Sequence, residues 1–288
     1  MSRPSERFAA KQLLGQRSNQ EDDFGILDGR LSASSELEHT LLVVADGMGG
    51  HVAGARASQL VTEFFIDSYQ GNISDDLKQI RAGLSSALQL SNSELAKAGQ
   101  QDPSLKGMGT TLLAAVVSAA GLQWLSVGDS PLWLYRQGKL IRVNADHSMV
   151  PVLAELVASG RLTEAEASVD PKRNALRSAL MGDELKLIDI AEQPMSLYQG
   201  DRLLLASDGV LTLTEQQICE VIIINEHASN EDLAGAILDE VLKQNKTNQD
   251  NTTLLIYSIV TEHGVKEANV QEPITVIPVN NRRGQDKQ

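Results

Sequence analysis

The sequence predicts an α+β fold, and three observations support this prediction. Short apolar stretches typical of strands come in neighbouring pairs, which indicates antiparallel pairing. The helical patterns lie in separate blocks and do not alternate strictly with the strands, as they would in a parallel sheet. Of the 288 residues, 42% are hydrophobic and 22% are charged, a balance that lets a chain of this length bury its own core.

Six apolar stretches are predicted as strands, at residues 39–46, 110–118, 122–129, 131–138, 201–208 and 251–260. The stretch 111–127 carries few charges, but turn-forming and polar residues interrupt it. It therefore resembles a buried hairpin more than a membrane span. We expect two-residue links at Ala120-Gly121 and at Gln137-Gly138.

Helices are expected where a capping residue precedes apolar residues at helical spacing. Ser74 precedes two acids and a leucine-rich periodic pattern, and residues 54–70 show the same periodicity. Further cap signals are Thr163 with Glu166, Thr214 with Gln217, and Ser229.

Composition and charge limit the classes of partner. The formal net charge of −13 argues against nucleic acid or an anionic membrane, because both require a basic face. The single cysteine, Cys219, cannot form a disulfide within the chain, which suits a reducing compartment. The first residues lack the apolar segment of a signal peptide. We therefore expect a cytoplasmic monomer without membrane insertion.

Periodicity also indicates how the chain is organised. We expect one domain over residues 8–261, and within it a flap at about 150–185, where short helical pieces are separated by Gly and Pro. The tail at 262–288 loses periodicity and is expected to be partly disordered.

Four aspartates stand at the ends of predicted strands. Asp46 and Asp208 each end an apolar run and precede a glycine, Asp129 ends a third run, and Asp250 directly precedes the last strand. In antiparallel sheets the end of one strand lies beside the start of its neighbour, so these carboxylates can meet at one rim. A single Asp-Gly pair is most often a simple turn, and its recurrence after apolar runs strengthens the signal.

Four carboxylates on one rim would repel one another, and a shared divalent cation would remove that repulsion. Oxygen ligands favour Mg²⁺, Mn²⁺ or Ca²⁺ over zinc. Upstream, Arg17, Glu21 and Asp22 lie within six residues. An arginine suits a phosphate dianion, and the two acids suit metal-bound water. The alternative for this segment is a solvated charged loop.

Six motifs then occur in a fixed order. They are Arg17 with Glu21 and Asp22, Asp46-Gly47-Met48-Gly49-Gly50, Gly109-Thr110-Thr111, Gly128-Asp129-Ser130, Ser207-Asp208-Gly209 and Asp250-Asn251. Together they resemble the metal-dependent protein phosphatase family, type 2C, over about residues 10 to 260. The resemblance implies a sandwich of two antiparallel β-sheets flanked by α-helices, with a flap insertion. It also implies hydrolysis of phosphoserine and phosphothreonine on proteins.

The resemblance assigns roles at a site for two catalytic Mn²⁺ or Mg²⁺ ions. It implies that Asp46 bridges both ions, and that Asp208 and Asp250 complete one site. It implies that the carbonyl of Gly47, with Glu21 through water, completes the other site. The nucleophile would be the water or hydroxide that bridges the two ions.

The remaining implied roles lie around that pair of ions. Asp22 would hold a metal-bound water, and Asp129 with Asp208 would bind a third, weaker ion. Arg17 would hold the substrate phosphate. The resemblance further suggests phosphorylated protein substrates and an opposing bacterial serine/threonine kinase, with the flap as a docking surface.

One position departs from the family's eukaryotic pattern. Those members have a histidine after the Asp-Gly, proposed as the general acid, where this chain has Met48. Methionine cannot donate a proton, and bacterial members commonly share the Asp-Gly-Met-Gly-Gly form. His51 and His147 are candidates for the acid by residue type alone, although a lone histidine is more often a surface or capping residue.

Other classes are less well supported by the sequence. A haloacid-dehalogenase-type enzyme needs Asp-x-Asp after its first strand, and Asp46-Gly47-Met48 does not match that pattern. A serine hydrolase of the Gly-x-Ser-x-Gly type is not supported either, because the sequence lacks that motif. A non-catalytic binding module would have lost metal aspartates that this chain keeps. A calcium-stabilised domain stays open as the alternative in which metal stabilises the fold without hydrolysis.

Overall fold

The structure, a computed structural model, describes residues 7–30, 38–50 and 52–260. His51 and the tail at 262–288 lie outside the described residues. The strands of the described residues are β1 Phe8–Leu13, β2 Asp22–Arg30, β3 Glu38–Met48, β4 Gly109–Thr110, β5 Leu112–Ser118, β6 Gly121–Val127, β7 Leu132–Arg136, β8 Lys139–Arg142, β9 Asp189–Ile190, β10 Arg202–Ala206 and β11 Thr252–Ser258. The helices are α1 Val52–Gln70, α2 Leu77–Gln101, α3 Val150–Ala158, α4 Glu164–Ser168, α5 Glu215–Ile224 and α6 Asn230–Lys243.

The strands form two antiparallel sheets, which confirms the predicted sandwich. One sheet has the order β1-β11-β10-β7-β8, and the other has the order β2-β3-β5-β6-β9 with β4 paired to β3. The two sheets enclose a leucine-rich layer, and helices cover the outer face of each sheet. None of the helices in the described residues combines the length and apolar character needed to cross a membrane.

Alternation along the strands explains how the layers form. In β3, Leu42 and Val44 lie in the layer between the sheets, whereas Leu41 and Val43 pack with α1 and α2. In β11, Leu255 lies between the sheets, whereas its sequence neighbours pack with α5 and α6. Successive side chains of a strand point to opposite faces, so a continuous apolar run serves two cores.

Three details differ from the sequence prediction. The cap of α2 is Asp76, whose carboxylate accepts bonds from two main-chain N–H groups, and Ser74 instead accepts from the N–H of Asp76. The link between β5 and β6 is at 119–120, because Gly121 is already paired with Ser118. Strands β1, β2 and β9 are not among the predicted strands. The link at Gln137-Gly138 and the other three capping residues are confirmed.

The flap region consists of an outer helical part and a returning stretch. Helices α3 and α4 form the outer part, and residues 174–187 return along the sandwich. The returning stretch is fixed at several points, among them paired bridges between Ser148 and Leu176 and between Thr110 and Leu180. Asn92 of α2 accepts a hydrogen bond from the N–H of Gly182. This returning stretch is therefore held in place against the sandwich and α2.

The layer between the sheets predicts the effect of a core truncation. Leu255→Ala should lower the free energy of unfolding by about 2–5 kcal/mol, because Leu255 is fully buried between the sheets. Urea denaturation at fixed pH measures the loss. Leu90→Ala is the matched control, since Leu90 is 53% exposed on α2 and its loss should cost within about 0.5 kcal/mol. Equal costs for the two variants would contradict the assigned core.

Candidate metal and phosphate site

A cleft of about 710 Å³ opens at the rim of the sandwich. It collects acidic side chains from distant parts of the chain, together with one arginine of the N-terminal loop. The predicted site residues that line it are Arg17, Glu21, Asp46, Gly47, Asp129, Asp208 and Asp250. The structure therefore brings together seven of the eight predicted residues in one cleft, and the eighth, Asp22, lies beneath it.

Strand ends from both sheets meet at this rim. Asp46 is close to the end of β3, and the chain turns at Asp208 directly after β10. Asp250 stands two residues before β11, which pairs with β10. Asp46 and Asp208 are joined by a hydrogen bond between their carboxyl groups, although they belong to different sheets. The antiparallel arrangement thus places these acids together, as the strand-end pattern predicts.

Asp22 occupies a different level from the other acids. It pairs with Asp46 across β2 and β3, but its side chain is buried and does not line the cleft. One carboxylate oxygen accepts hydrogen bonds from the hydroxyl groups of Ser207 at 2.7 Å and Thr253 at 2.8 Å. Burial, more than the neighbouring charges, raises the pKa of Asp22 to about 7.

The acids in the cleft perturb one another. Burial raises the pKa of Asp46 well above its usual range, and the charges of Asp22, Asp208 and Asp129 raise it further. Burial and the charge of Asp250 likewise raise the pKa of Asp208. The hydrogen bond between Asp46 and Asp208 requires a proton on one of the two carboxyl groups, and burial favours the protonated form of both.

Asp129 shows the same behaviour at the other end of the group. It is 6% exposed, and burial with the charges of Asp208 and Asp146 raises its pKa to about 7. Such mutual repulsion is what a bound cation would relieve.

Arg17 closes the acidic group from the N-terminal side. Its guanidinium donates to Asp250 at 2.5 Å, and this bond with the neighbouring acids raises the pKa of Arg17. The loop before it is anchored, because the N–H of Gln16 donates to the carbonyl of Gln249. Gly15 has a φ of +65°, and a Cβ there would lie 2.4 Å from the carbonyl oxygen of Asp250. Glycine therefore permits the close approach that places Arg17.

Glu21 reaches the cleft because two glycines leave room for it. A Cβ on Gly54, in the first turn of α1, would lie 2.1 Å from a carboxylate oxygen of Glu21. A Cβ on Gly47 would lie 2.2 Å from the carbonyl oxygen of Gly54. The N–H of Glu21 donates to the side chain of Asn251, whose amide also binds the carbonyl of Leu14. Glu21 and Gly47 are thus held side by side, and Gly54 and Asn251 were not predicted to matter there.

Hydroxyl groups fix the backbone of Asp46. Its N–H donates to the hydroxyl of Thr111 at 3.0 Å, and its carbonyl accepts from the hydroxyl of Thr110 at 2.9 Å. The Thr111 hydroxyl also bonds to that of Ser130 at 2.8 Å. The Gly-Thr-Thr motif therefore contacts Asp46 directly, and the Gly-Asp-Ser motif is linked to it through Thr111, a role that the sequence did not reveal.

His147 lies outside the cleft lining. It is 6% exposed, and its Nδ1 atom accepts a hydrogen bond from the N–H of Gly128 at 3.2 Å. Burial lowers the pKa of His147, so the neutral imidazole is favoured. This position does not suit a general acid for a group bound in the cleft. Among the described residues, no histidine lines the cleft.

Comparison with known proteins agrees with this geometry. The family model described as Protein phosphatase 2C matches residues 16–255, most of the chain. The chain belongs to the protein phosphatase 2C family. The matched region contains all eight predicted site residues, from Arg17 to Asp250.

Several proteins similar to this chain are bacterial serine/threonine phosphatases. PstP from Mycobacterium tuberculosis is 34% identical over 221 residues, which is 76% of this chain but only 40% of that protein's length. The chain thus matches less than half of that relative. The structure of a serine/threonine phosphatase from S. agalactiae has a TM-score of 0.74 at 27% identity, covering 88% of this chain and 99% of that one.

A further solved structure bears on metal binding. The catalytic domain of PstP, solved in complex with two manganese ions, has a TM-score of 0.68 and 31% identity, and the match covers 88% of this chain and 98% of that one. Type 2C phosphatases are metal-dependent, so the acids of the present cleft must be tested against such ions.

The donor chemistry of the cleft fits hard divalent cations. Its acids offer only oxygen atoms, and burial together with mutual repulsion raises the pKa values of Asp46 and Asp129, a cost that cations would reduce. In the arrangement described, no group of three or more Asp, Glu, His or Cys side chains already forms a ligand cage in residues 7–30, 38–50 and 52–260. Asp46 instead bonds Asp208, and Asp250 bonds Arg17. The residues fit the ions by chemistry and proximity.

The raised pKa of Asp46 predicts a pH-dependent stability in EDTA. An acid with a raised pKa binds more protons folded than unfolded, so its contribution falls as pH rises above its ordinary value of 3.8. Asp46→Asn removes that cost. The variant's free energy of unfolding relative to the parent should therefore increase as pH rises from about 4 through about 7, where Asp22 and Asp129 also titrate. Urea denaturation at each pH checks this, and a pH-independent difference would contradict it.

Proposed function

We propose that this chain hydrolyses phosphoserine and phosphothreonine on proteins at a site for two catalytic Mn²⁺ or Mg²⁺ ions. A third, weaker ion is part of the proposal. The observation that carries it is the convergence of five acids with Arg17 in one cleft of a type 2C phosphatase fold. The two manganese ions in the structure of the PstP catalytic domain support the choice of ion.

The acids divide between the proposed ions by position. Asp46 would contact both catalytic ions, since it lies between the acids of the two sheets. Asp208 and Asp250 would hold one ion, and the carbonyl of Gly47 with Glu21 would hold the other. When bound, the ions would supply a water of lowered pKa and neutralise charge on the phosphoryl oxygens.

Asp129 and Asp22 have separate proposed roles. Asp129 would hold the third ion together with Asp208. The two acids interact, since burial and the charge of Asp208 raise the pKa of Asp129. Asp22 lies one level deeper, with its carboxylate held by Ser207 and Thr253. We assign it to orienting a water of the site, supported by its electrostatic coupling to Asp208 and Asp250.

Arg17 is the proposed phosphate ligand. Its side chain is 52% exposed at the cleft mouth, so its guanidinium can reach an entering phosphate while the loop at Gly15 stays in place. A guanidinium offers paired N–H donors that match two phosphate oxygens. A phosphate bound there would share the cleft with Asp46 and Asp208, which also line it.

The remaining proposals concern partners and location. We propose a cytoplasmic monomer that acts on phosphorylated proteins and opposes a bacterial serine/threonine kinase. The returning stretch of the flap supplies one wall of the cleft, including Arg177 and Lys186, which supports its role in contacting the protein around the phosphorylated residue.

A phosphopeptide panel tests the proposed reaction. The purified chain should release phosphate from phosphothreonine and phosphoserine peptides with Mn²⁺, act much more weakly on phosphotyrosine, and lose activity in EDTA. Asp208→Asn should lower kcat by at least about 100-fold while keeping the fold, because Asp208 is a proposed metal ligand and changes to residues that merely support such ligands already cost about 10–100-fold. Metal-induced stabilisation without hydrolysis of any phosphate ester would instead favour a calcium- or manganese-stabilised binding domain.

Arg17→Ala tests the phosphate ligand. The variant should raise KM for the phosphothreonine peptide by about tenfold, with a smaller change in kcat, because it loses binding that substrate and transition state share. Steady-state kinetics at saturating Mn²⁺ separates the two constants. Arg161→Ala is the control, since Arg161 is exposed on the flap outside the cleft lining and its guanidinium donates to the hydroxyl of Ser159. An unchanged KM for Arg17→Ala would place this arginine outside the site.

A further inference from the structure

The turn that carries Asp129 is held by one short segment of the chain. Three side chains from residues 142–147 bind the turn at 128–130, and each of them binds a different residue of the turn. The bonds are His147 Nδ1 with the Gly128 N–H at 3.2 Å, Arg142 Nη2 with the Asp129 carbonyl at 2.7 Å, and Asn144 Nδ2 with the Ser130 carbonyl at 2.9 Å.

His147 binds two structures at once. Its own N–H donates to the carbonyl of Gly128 at 3.0 Å, so Gly128 is held through both of its main-chain polar groups. The carbonyl of His147 accepts from the N–H of Arg177 at 2.8 Å, and the next residue, Ser148, bridges to Leu176. Arg177 lies in the returning stretch that lines the cleft. One residue therefore connects the Asp129 turn to the flap wall.

Displacement of Gly128 would be transmitted to Asp46. Gly128 has a φ of +112°, and a Cβ there would lie 2.6 Å from a methyl carbon of Thr111. Thr111 in turn binds the N–H of Asp46 and the hydroxyl of Ser130. The Gly128 turn is thus packed directly against the residue that fixes Asp46, which leaves little space for the turn to shift.

We propose that His147 is a positioning residue. Its neutral imidazole holds the Asp129 turn and the returning stretch of the flap in fixed positions relative to Asp46. This inference rests on the proposed phosphatase function. It differs from the general-acid role suggested by residue type, because His147 acts through Gly128 and never contacts the substrate. It also differs from an ordinary buried histidine, because loss of the Nδ1 acceptor should change metal binding and catalysis more than stability.

The chemistry of the Nδ1 bond selects the variants. Nδ1 accepts from an N–H, so the ring proton is on Nε2. The side-chain oxygen of asparagine lies at the distance of Nδ1 from the backbone and can accept the same bond. His147→Asn should therefore preserve the contact. Glutamine carries its polar atoms one bond further out, and leucine has none, so His147→Gln and His147→Leu should lose it. A buried N–H without a partner is the expected result.

Direct Mn²⁺ binding is the first measurement. Titration calorimetry of the purified chain should show that the weakest Mn²⁺ site loses affinity by about tenfold or more in His147→Gln and His147→Leu, the range found for changes behind metal ligands. His147→Asn should remain within about twofold of the parent. His39→Leu is the matched control, since His39 is also fully buried but binds Tyr69 away from the cleft. Its Mn²⁺ affinities should match the parent. Thermal melting in EDTA shows whether each variant is folded.

Two substrates with different leaving groups separate positioning from acid catalysis. A positioning role predicts that His147→Gln lowers kcat by a similar factor on p-nitrophenyl phosphate and on a phosphothreonine peptide, and that His147→Asn restores both. A general acid would be needed only for the poor alkoxide leaving group. A loss confined to the phosphothreonine peptide, and not rescued by asparagine, would overturn the proposal.

The outcomes also separate this inference from the proposed function. If the parent binds Mn²⁺ and hydrolyses the peptide, but His147→Gln matches it in both respects, the positioning role is wrong while the phosphatase function stands. If the parent itself neither binds Mn²⁺ nor hydrolyses any phosphate ester, the proposed function fails, and the role of His147 in it fails as well. Because His147→Gln keeps a polar side chain of similar length, misfolding of the leucine variant would not prevent the test.

Discussion

The forced proximity of buried carboxyl groups is the constraint on which the rest of this structure depends. Asp46 and Asp208 come from different sheets, yet their carboxyl groups bond to each other, and burial raises the pKa values of both. An isolated group of such acids would separate or remain protonated. They stay together because each is attached to a strand end whose position is set by apolar layers on both faces of the sheet.

A shell of hydroxyl and amide groups converts that proximity into a defined geometry. Thr111 and Thr110 hold the main chain of Asp46, and Ser207 with Thr253 holds the carboxylate of Asp22. Asn251 holds the main chain of Glu21. These bonds are 2.7–3.0 Å long and at least partly buried, so they restrain the positions of the acids. Positions controlled this closely are what a catalytic metal site requires.

The sequence predicted the strand-end acids but not the shell around them. Asp46, Asp208 and Asp250 were found because an acid after or before an apolar run is a local pattern, and the pairing rules of antiparallel sheets do the rest. Thr111 and Ser130 meet only after the strands are paired, so nothing local marks their contact. The same limit applies to Asp22. Its position in the chain does not show that it lies beneath the cleft.

Strand β2 shows a second way in which local patterns mislead. Glycine weakens a strand by propensity, and β2, which contains Gly25, is not among the predicted strands. In the structure a Cβ at Gly25 would lie 2.2 Å from the side chain of Ile66 on α1. The glycine leaves room for the side chain of Ile66 where α1 packs against the sheet. A residue that weakens the strand by propensity thus serves the packing that covers the strand, and only the tertiary arrangement reveals it.

The charge of the cleft supports the need for cations more directly than any single contact. Among the described residues, seven acids and three bases line it, so a fully ionised cleft carries a charge of −4. The acids are Glu21, Asp46, Asp129, Asp183, Glu184, Asp208 and Asp250, and the bases are Arg17, Arg177 and Lys186. A phosphate dianion would be repelled from such a surface, and the net charge of −13 on the whole chain adds to the repulsion. Two divalent cations would bring the cleft to neutrality. The same ions that make the grouping of acids tolerable would therefore also make the cleft accessible to its proposed substrate.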